Sequence, residues 1–160
     1  MTQKPRGVDI FHLEELLSEQ ELQIRDTVRA FVADEVMPIV GENWRLGKFP
    51  IKLAKRMGQL GLLGGHLDYP DSPQISPIAA GLVHLELERG DTGIRSFASV
   101  QGCFVMKAIL KYGTDEQKKR WIGPLAAGEA IGAFAMTEPD HGSDPNNMNT
   151  KATKSGDIYI

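Results

Sequence analysis

The chain has 160 residues, of which 41% are hydrophobic and 24% are charged, values that fit one globular domain with an adequate core. Its formal net charge of −3 provides no strong basic field for nucleic acid or for an acidic membrane. No apolar run is long enough to span a bilayer, and the single cysteine, Cys103, excludes an internal disulfide. Because the first residues also lack the features of a signal or transit peptide, we expect a cytoplasmic protein.

Two helices are predicted after an N-terminal arm formed by residues 1–12. Ser18 stands three residues before Glu21, which is the spacing of a capping box, and Pro38 is expected to end the helix that begins there. Apolar residues recur at helical spacing along this helix and predict one buried face: Ile24, Val28, Phe31, Val32 and Val36. The second helix is predicted to begin at Pro50. Its inward-facing residues are Leu53, Ala54, Met57 and Leu60.

Three more helices are predicted from their cap residues. Ser76-Pro77 begins the third helix, Asp91 or Thr92 caps the fourth, and Thr114 with Gln117 forms a capping box for the fifth. The third helix is apolar nearly all round, which is typical of the middle of a bundle. The apolar residues of the third helix are Ile78, Ala79, Ala80, Leu82, Val83, Leu85 and Leu87, and the predicted face of the fourth is Phe97, Val100, Phe104 and Ala108.

The pattern changes from helix to strand near residue 130. We therefore divide the chain into a helical domain, residues 1–129, and the start of a β-domain, residues 130–160. The predicted strands are Ile131–Met136, Lys151–Lys154 and Asp157–Ile160, with Ser155-Gly156 in the turn of a hairpin.

A rigid polar loop follows the first of these strands. Residues 137–145 read Thr-Glu-Pro-Asp-His-Gly-Ser-Asp-Pro. The two prolines and the glycine stop a helix, and the Ser and Asp side chains close turns. The free N–H groups and hydroxyls of such a loop form a concavity for phosphate or for the polar atoms of a ring.

This loop resembles the flavin loop of the acyl-CoA dehydrogenases, and four other segments occur in the order found in that family. They are Glu86–Ser96, Ser99–Gln101, Tyr112–Gln117 and Leu125–Glu129. Among the family, the sequence is most like the glutaryl-CoA dehydrogenases. The resemblance implies a mostly α fold: the N-terminal helical domain of the acyl-CoA dehydrogenase fold, followed by the first strands of its β-domain.

The resemblance implies FAD as the cofactor. On the matching positions, Phe134, Met136 and Thr137 line the isoalloxazine, and the Thr137 hydroxyl reaches its polar edge. Gly142 and Ser143 lie beside the pyrophosphate, where a glycine lets the backbone approach closely, and Ser143 also borders the acyl-CoA. The alternative interpretation of this loop is a tight structural turn with no ligand.

A second group of residues, Glu88, Arg95 and Ser96, is implied to bind the substrate. In glutaryl-CoA dehydrogenases the matching Arg and Ser hold the distal carboxylate of glutaryl-CoA, and the matching Glu lies beside them. A guanidinium suits a carboxylate geometrically, whereas the alternative interpretation is a solvated ion pair between Glu88 and Arg95. The implied reaction is FAD-dependent oxidation and decarboxylation of glutaryl-CoA to crotonyl-CoA. An electron-transfer flavoprotein would accept the electrons, and the full-length enzyme would be a homotetramer.

No catalytic residue is predicted in this chain, because the family's general base is a glutamate of the C-terminal half. Ile160 falls inside a predicted strand, so we expect the N-terminal portion of a longer enzyme that is inactive by itself. Two alternatives remain open: another short-chain acyl-CoA dehydrogenase or oxidase, and a truncated, non-catalytic helical fragment.

Other polar residues receive structural interpretations. Asp140, His141 and Asp144 offer too few convergent ligands for a metal site, so His141 is predicted to be a surface residue. His84 is predicted to be a packed helix residue, and Cys103 a buried, inert thiol.

Overall fold

Helices dominate the structure, a computed structural model that describes residues 11–160, and the predicted mostly α fold is confirmed. The first ten residues of the predicted arm lie outside this range. The helices are α1 (Glu19–Phe31), α2 (Met37–Arg45), α3 (Lys52–Gln59), α4 (Pro77–Gly90), α5 (Thr92–Ser99), α6 (Lys107–Tyr112) and α7 (Asp115–Ala126). Short 3₁₀ helices lie at Leu13–Leu16 and Pro145–Asn147. Among the described residues, none of the helices is both long and apolar enough to cross a membrane.

The structure contains two π-helical segments that the sequence does not predict. The first lies before the predicted end of the first helix, and the second lies within the predicted fourth helix. Val32–Val36 connects α1 to α2, so the prediction that Pro38 ends the first helix is wrong. The N–H of Met37 donates to the carbonyl of Val32, five residues back. This wider turn accommodates a proline that lacks an N–H and whose ring would crowd a regular α-turn.

The predicted caps are present. Ser18 and Thr114 both form complete capping boxes. Asp91, not Thr92, caps α5, because its carboxylate accepts a hydrogen bond of 2.8 Å from the N–H of Ile94. Helix α3 begins at Lys52 rather than at Pro50. The Pro50 carbonyl nevertheless accepts a hydrogen bond from the N–H of Leu53.

The core lies where α4 packs between α1 and α5. The predicted inward residues of the first two helices are buried, except that Ile24 and Leu60 are half-buried. Helix α4 occupies the middle of the bundle, as predicted, through Val83 and Leu87. Its apolar surface is nevertheless incompletely covered within the described chain: 55% of Ile78 and 57% of Leu85 are exposed.

The predicted face of the fourth helix is wrong after Phe97, which is half-buried and packs against the core. The buried residues are Ile94, Ala98, Gln101 and Met106, whereas Phe104 is 46% exposed. The second π-helical segment, Val100–Met106, explains the difference, because a π turn holds more residues than an α turn and rotates the following side chains about the axis. Cys103 lies in this segment and is exposed, so the prediction of a buried thiol is also wrong.

The β-region is smaller than predicted. Strands β1 (Lys154–Ser155) and β2 (Ile158–Tyr159) form an antiparallel hairpin, with the left-handed Gly156, at φ +62°, in the turn. The segment Ile131–Met136 is not a strand. A strand needs a neighbour for its backbone groups, and residues 11–160 supply no such neighbour here.

Candidate functional site

The segment that leads into the polar loop is attached to the helical bundle by one side chain. The amide of Gln101 donates to the carbonyl of Gly132 and accepts from its N–H, both at 2.9 Å. Gln101 is 2% exposed. A Cβ on Gly132 would lie 2.3 Å from Cγ1 of Val105, so this close approach requires glycine. These two hydrogen bonds therefore satisfy the backbone of Gly132 within a segment that the sequence predicts to be a strand.

An aromatic contact continues this attachment. The rings of Phe134 and Phe104 have centroids 5.3 Å apart and are tilted by 48°. Phe134 remains 50% exposed and Met136 41% exposed. Two apolar side chains thus present free surface at the start of the loop.

Glu138 ties the two ends of the polar loop together. Its carboxylate accepts hydrogen bonds of 2.7 Å from the N–H groups of both Asn149 and Thr150. Its own N–H donates to the carbonyl of His141 at 3.0 Å, and the His141 N–H donates back to Glu138 at 3.3 Å. Hydrogen bonds from Thr150 first, and then from Asn149, lower the pKa of the Glu138 carboxyl group, so this group is an anionic anchor.

His141 belongs to the same network, so it is a half-buried loop residue and not a simple surface residue. Its Nδ1 lies 3.1 Å from Asp144 Oδ2, and its Nε2 lies 3.1 Å from the side-chain nitrogen of Asn149. A neutral imidazole that donates from Nδ1 and accepts at Nε2 satisfies both contacts. The hydrogen bond from His141, followed by that from Asn147, lowers the pKa of Asp144.

The tip of the loop leaves hydrogen-bond donors free. Thr137, Gly142 and Ser143 are exposed, and within residues 11–160 the N–H groups of Gly142 and Ser143 have no hydrogen-bond partner. A Cβ on Gly142 would meet only the methyl group of Thr137, at 3.9 Å. Free N–H groups, two hydroxyls and nearby apolar side chains fit a phosphate and the edge of a flavin ring. In the described part of the chain, His, Cys, Asp and Glu side chains form no group of three that could hold a metal.

Glu88 and Arg95 form an ion pair between α4 and α5. Nε of Arg95 lies 2.5 Å from Glu88 Oε2, and the Thr92 hydroxyl donates to Glu88 Oε1 at 2.7 Å. The hydrogen bonds from Arg95 and then Thr92 lower the pKa of Glu88. The Arg95 side chain is 33% exposed, and its hydrogen bond to Glu88 is made through Nε. Ser96, the next residue, is half-buried.

One continuous helical stretch carries Arg95 and Ser96 and also the residues that hold the segment leading to the polar loop. Arg95 and Ser96 lie in α5, and the π-helical segment that follows contains Gln101 and Phe104, which hold the segment leading to the loop. At 1.5 Å per residue, Arg95 lies about 9 Å along the axis from Gln101.

Two polar side chains that hold parts of the structure together were not predicted. Gln101 is the first; the signal was a polar residue in an otherwise apolar helix. The second is Glu86, which is 0% exposed and pairs with Nη2 of Arg29 at 2.6 Å and with Nε of Arg89 at 3.1 Å. The hydrogen bond to Glu86 raises the pKa of Arg29. The signal was a carboxylate in the apolar sequence of α4.

Comparison with known proteins identifies the family. Residues 18–129 match the family described as acyl-CoA dehydrogenase, N-terminal domain. The chain belongs to the acyl-CoA dehydrogenase family. The match includes every helix from α1 to α7, so the bundle described above is the N-terminal helical domain of this family.

Solved structures and sequence relatives agree with this assignment. A glutaryl-CoA dehydrogenase from Mycobacterium smegmatis has a TM-score of 0.90 and 48% identity, over 95% of this chain and 40% of that one. A second structure from the same organism, in complex with FADH2, has a TM-score of 0.89 and 44% identity, over 92% of this chain and 38% of the other. The mitochondrial short-chain specific acyl-CoA dehydrogenase of Bos taurus is 33% identical over 153 residues, which is 90% of this chain and 35% of the relative. The chain thus spans little more than a third of the length of these relatives.

Proposed function

We propose that this chain supplies the N-terminal part of the active site of an FAD-dependent acyl-CoA dehydrogenase that oxidises and decarboxylates glutaryl-CoA to crotonyl-CoA. The observation that carries the proposal is the placement of Arg95 and of the loop-holding residues Gln101 and Phe104 on one continuous helical stretch. A cation for the distal end of the substrate and a donor-rich loop for a cofactor then belong to the same site.

The loop would hold FAD through residues whose surfaces are free. Phe134 and Met136 would pack on the isoalloxazine, and the Thr137 hydroxyl would donate to its polar edge. The N–H groups of Gly142 and Ser143 would bind the pyrophosphate. FAD, when bound, supplies the two-electron oxidant, while the protein supplies orientation and hydrogen bonds.

The substrate's distal carboxylate would bind between Arg95 and Ser96. Glu88 already occupies Nε of Arg95, which orients the guanidinium and leaves its terminal nitrogens for a second carboxylate. Ser143 would border the acyl-CoA on the cofactor side. None of the glutamates of this chain is assigned as the base that removes the α-proton. An electron-transfer flavoprotein as electron acceptor and a homotetrameric assembly of the full-length protein are part of the proposal, from the resemblance alone.

The Arg95→Leu variant of the full-length gene product tests the substrate. Removing one member of a charge pair with a bound carboxylate lowers affinity strongly, since the partner is left unpaired. We expect kcat/KM for glutaryl-CoA to fall by roughly thirty-fold or more, while kcat/KM for butyryl-CoA, which has no distal charge, changes little. Arg45→Leu is the matched control, because Arg45 forms an exposed ion pair with Glu42 on α2. A ratio of the two kcat/KM values that stays constant in Arg95→Leu would contradict the glutaryl-CoA proposal.

A second candidate is a short-chain acyl-CoA dehydrogenase for unbranched monocarboxylic substrates. The similarity to the bovine short-chain enzyme favours it. In that case Arg95 serves only the ion pair with Glu88, and butyryl-CoA is the better substrate in the wild type and in Arg95→Leu alike.

A further inference from the structure

A histidine lies on α4 one helical turn before the residue that holds Arg95. His84 precedes Glu88 by one helical turn on α4, so the two side chains share a face. Glu88 in turn holds Arg95. Nδ1 of His84 has no accessible surface and, among the described residues, no hydrogen-bond partner. A buried ring nitrogen without a hydrogen-bond partner is uncommon in a folded protein.

The surroundings of His84 hold a second imidazole. A cavity of about 10 Å³, large enough for a single water molecule, is bordered by both His84 and His66. The backbone of Gly64, two residues before His66, packs closely on Gly102: a Cβ on Gly102 would lie 3.1 Å from Cα of Gly64. The loop can therefore press against the helical stretch that begins with Arg95.

The charged groups around this pair favour neutral imidazoles. Burial lowers the pKa of His84, and the positive charges of His66 and then Arg95 lower it further. Burial and then Lys107 lower the pKa of His66. Glu88 lies one helical turn from His84 on α4, but its charge is engaged by Arg95 and by the Thr92 hydroxyl.

A bound dicarboxylic substrate changes this balance of charge. Glu88 and the distal carboxylate would then face the single guanidinium of Arg95, which leaves one negative charge uncompensated. Two carboxylates that share one cation attract a further positive charge. His84 is the titratable group of α4 that lies one turn from Glu88, and burial lowers its pKa.

We propose that His84 takes up a proton when the distal carboxylate binds at Arg95, so that preference for the dicarboxylic acyl-CoA increases as the pH falls. This inference rests on the proposed function. The proton comes from the solvent and binds the unprotonated ring nitrogen of neutral His84. His84 is thus a specificity-determining residue that acts by its charge.

The sign of the pH dependence follows from linkage. A ligand that raises the pKa of a group binds more tightly at a pH below the raised value than at a pH above it. We expect the ratio of kcat/KM for glutaryl-CoA to that for butyryl-CoA to rise between pH 8.5 and pH 6.0. The rise is up to about tenfold for a pKa increase of one unit. Titration of the CoA moiety and of the catalytic base is common to both substrates and cancels in the ratio.

The experiment measures this ratio against pH in the full-length gene product and in His84→Asn and His84→Gln. Circular dichroism identifies a variant that fails to fold, and the two amides replace different ring nitrogens, so one of them is expected to preserve the packing. His12→Asn is the matched control, because the His12 side chain is 76% exposed. Calorimetry of glutaryl-CoA binding in phosphate and in Tris, with the flavin reduced beforehand so that no turnover occurs, counts the protons taken up.

The expected result is proton uptake and a pH-dependent ratio in the wild type and in His12→Asn, with both absent from the two His84 variants. Uptake that persists in folded His84 variants would overturn the inference and would point to Glu88 as the proton acceptor. A pH-independent ratio in the wild type would also overturn it. The Arg95→Leu variant distinguishes failure of the proposed function from failure of the inference about His84. If the proposed function is wrong, Arg95→Leu leaves the ratio unchanged. If only the inference is wrong, Arg95→Leu lowers the ratio at every pH.

Discussion

The helical bundle and the segment after it are stabilised by different interactions. Every buried apolar side chain of the core lies between Val28 and Leu125, and residues 131–160 contribute none. That later segment is held by polar groups instead: Gln101 on the backbone of Gly132, and Glu138 on the backbone of residues 149–150. The bundle therefore tolerates polar changes on its surface, whereas the loop depends on a few hydrogen bonds.

The proposed function gives this difference a reason. A cofactor loop must leave donors and apolar faces free for a ligand, so it cannot bury them in a core. Its shape has to come from hydrogen bonds made by residues beside the free ones. Glu138 and His141 do this for Gly142 and Ser143.

The largest effect is expected from the core. Leu87→Ala removes a side chain that is fully buried in α4. The lost burial and the cavity that remains lower the free energy of unfolding by about 2–5 kcal/mol. Urea denaturation followed by circular dichroism measures the change. Leu85→Ala, on the same helix and 57% exposed, is the control, and an equal loss in both variants would show that burial does not separate them.

A smaller loss of stability is expected where the two regions meet. Gln101→Leu leaves both backbone groups of Gly132 without partners, and each unsatisfied group costs about 1–3 kcal/mol. Because the later segment carries no core residues, the loss appears mainly as faster hydrogen exchange at Gly132 and as release of Phe134 from Phe104. Gln59→Leu, at an exposed position of α3, is the control. Unchanged exchange at Gly132 in Gln101→Leu would mean that another contact holds this segment.

The loop tip is expected to affect cofactor binding and not stability. Ser143→Ala in the full-length gene product removes a hydroxyl that we place beside the FAD pyrophosphate. Losing a hydrogen bond to a charged group costs roughly 1.5–3 kcal/mol, so the Kd for FAD should rise by about tenfold or more. Fluorescence titration of the flavin measures Kd. Wild-type affinity in Ser143→Ala, with the unfolding curve also unchanged, would remove Ser143 from the cofactor site.

The smallest effect is a pH dependence confined to the loop. The pKa of Glu138 is lowered in the folded chain from its ordinary value of 4.5. A lowered pKa means that the stabilisation is fully present above the ordinary value and is lost as the pH falls through the lowered one. The amide NMR shifts of Asn149 and Thr150 should therefore move together below about pH 4.5. They should not titrate in Glu138→Gln, while Glu19→Gln, at an exposed position of α1, should titrate like the wild type.

Local interactions of the sequence determined the helix starts. Ser18, Ser76, Asp91 and Thr114 each accept a hydrogen bond from the N–H three residues ahead. Such a contact lies within one turn of chain, so the residue spacing is enough to predict it. The hairpin at residues 154–159 is local in the same sense, although its turn is shifted by one residue from the predicted position.

The polar loop together with four other segments in family order was also sufficient to predict the family, which the match over residues 18–129 then confirmed. The sequence did not reveal what shapes the loop. Glu138 and Asn149 are eleven residues apart, and their contact depends on the path of the chain between them.

Tertiary structure alone decided the continuation of the first helix through Pro38, the rotation of the fourth helix and the fate of Ile131–Met136. In each case packing, or the lack of a partner, outweighed the local preference. A π turn accommodates Pro38, and a second π turn changes which side of the helix faces α4. The segment Ile131–Met136 has no neighbouring strand, and its Gly132 backbone bonds to Gln101 instead. The burial of Glu86 belongs here as well, because its partner Arg29 is 57 residues away. Sequence spacing reports contacts within a turn of helix or a hairpin, whereas contacts between distant segments depend on how the bundle assembles.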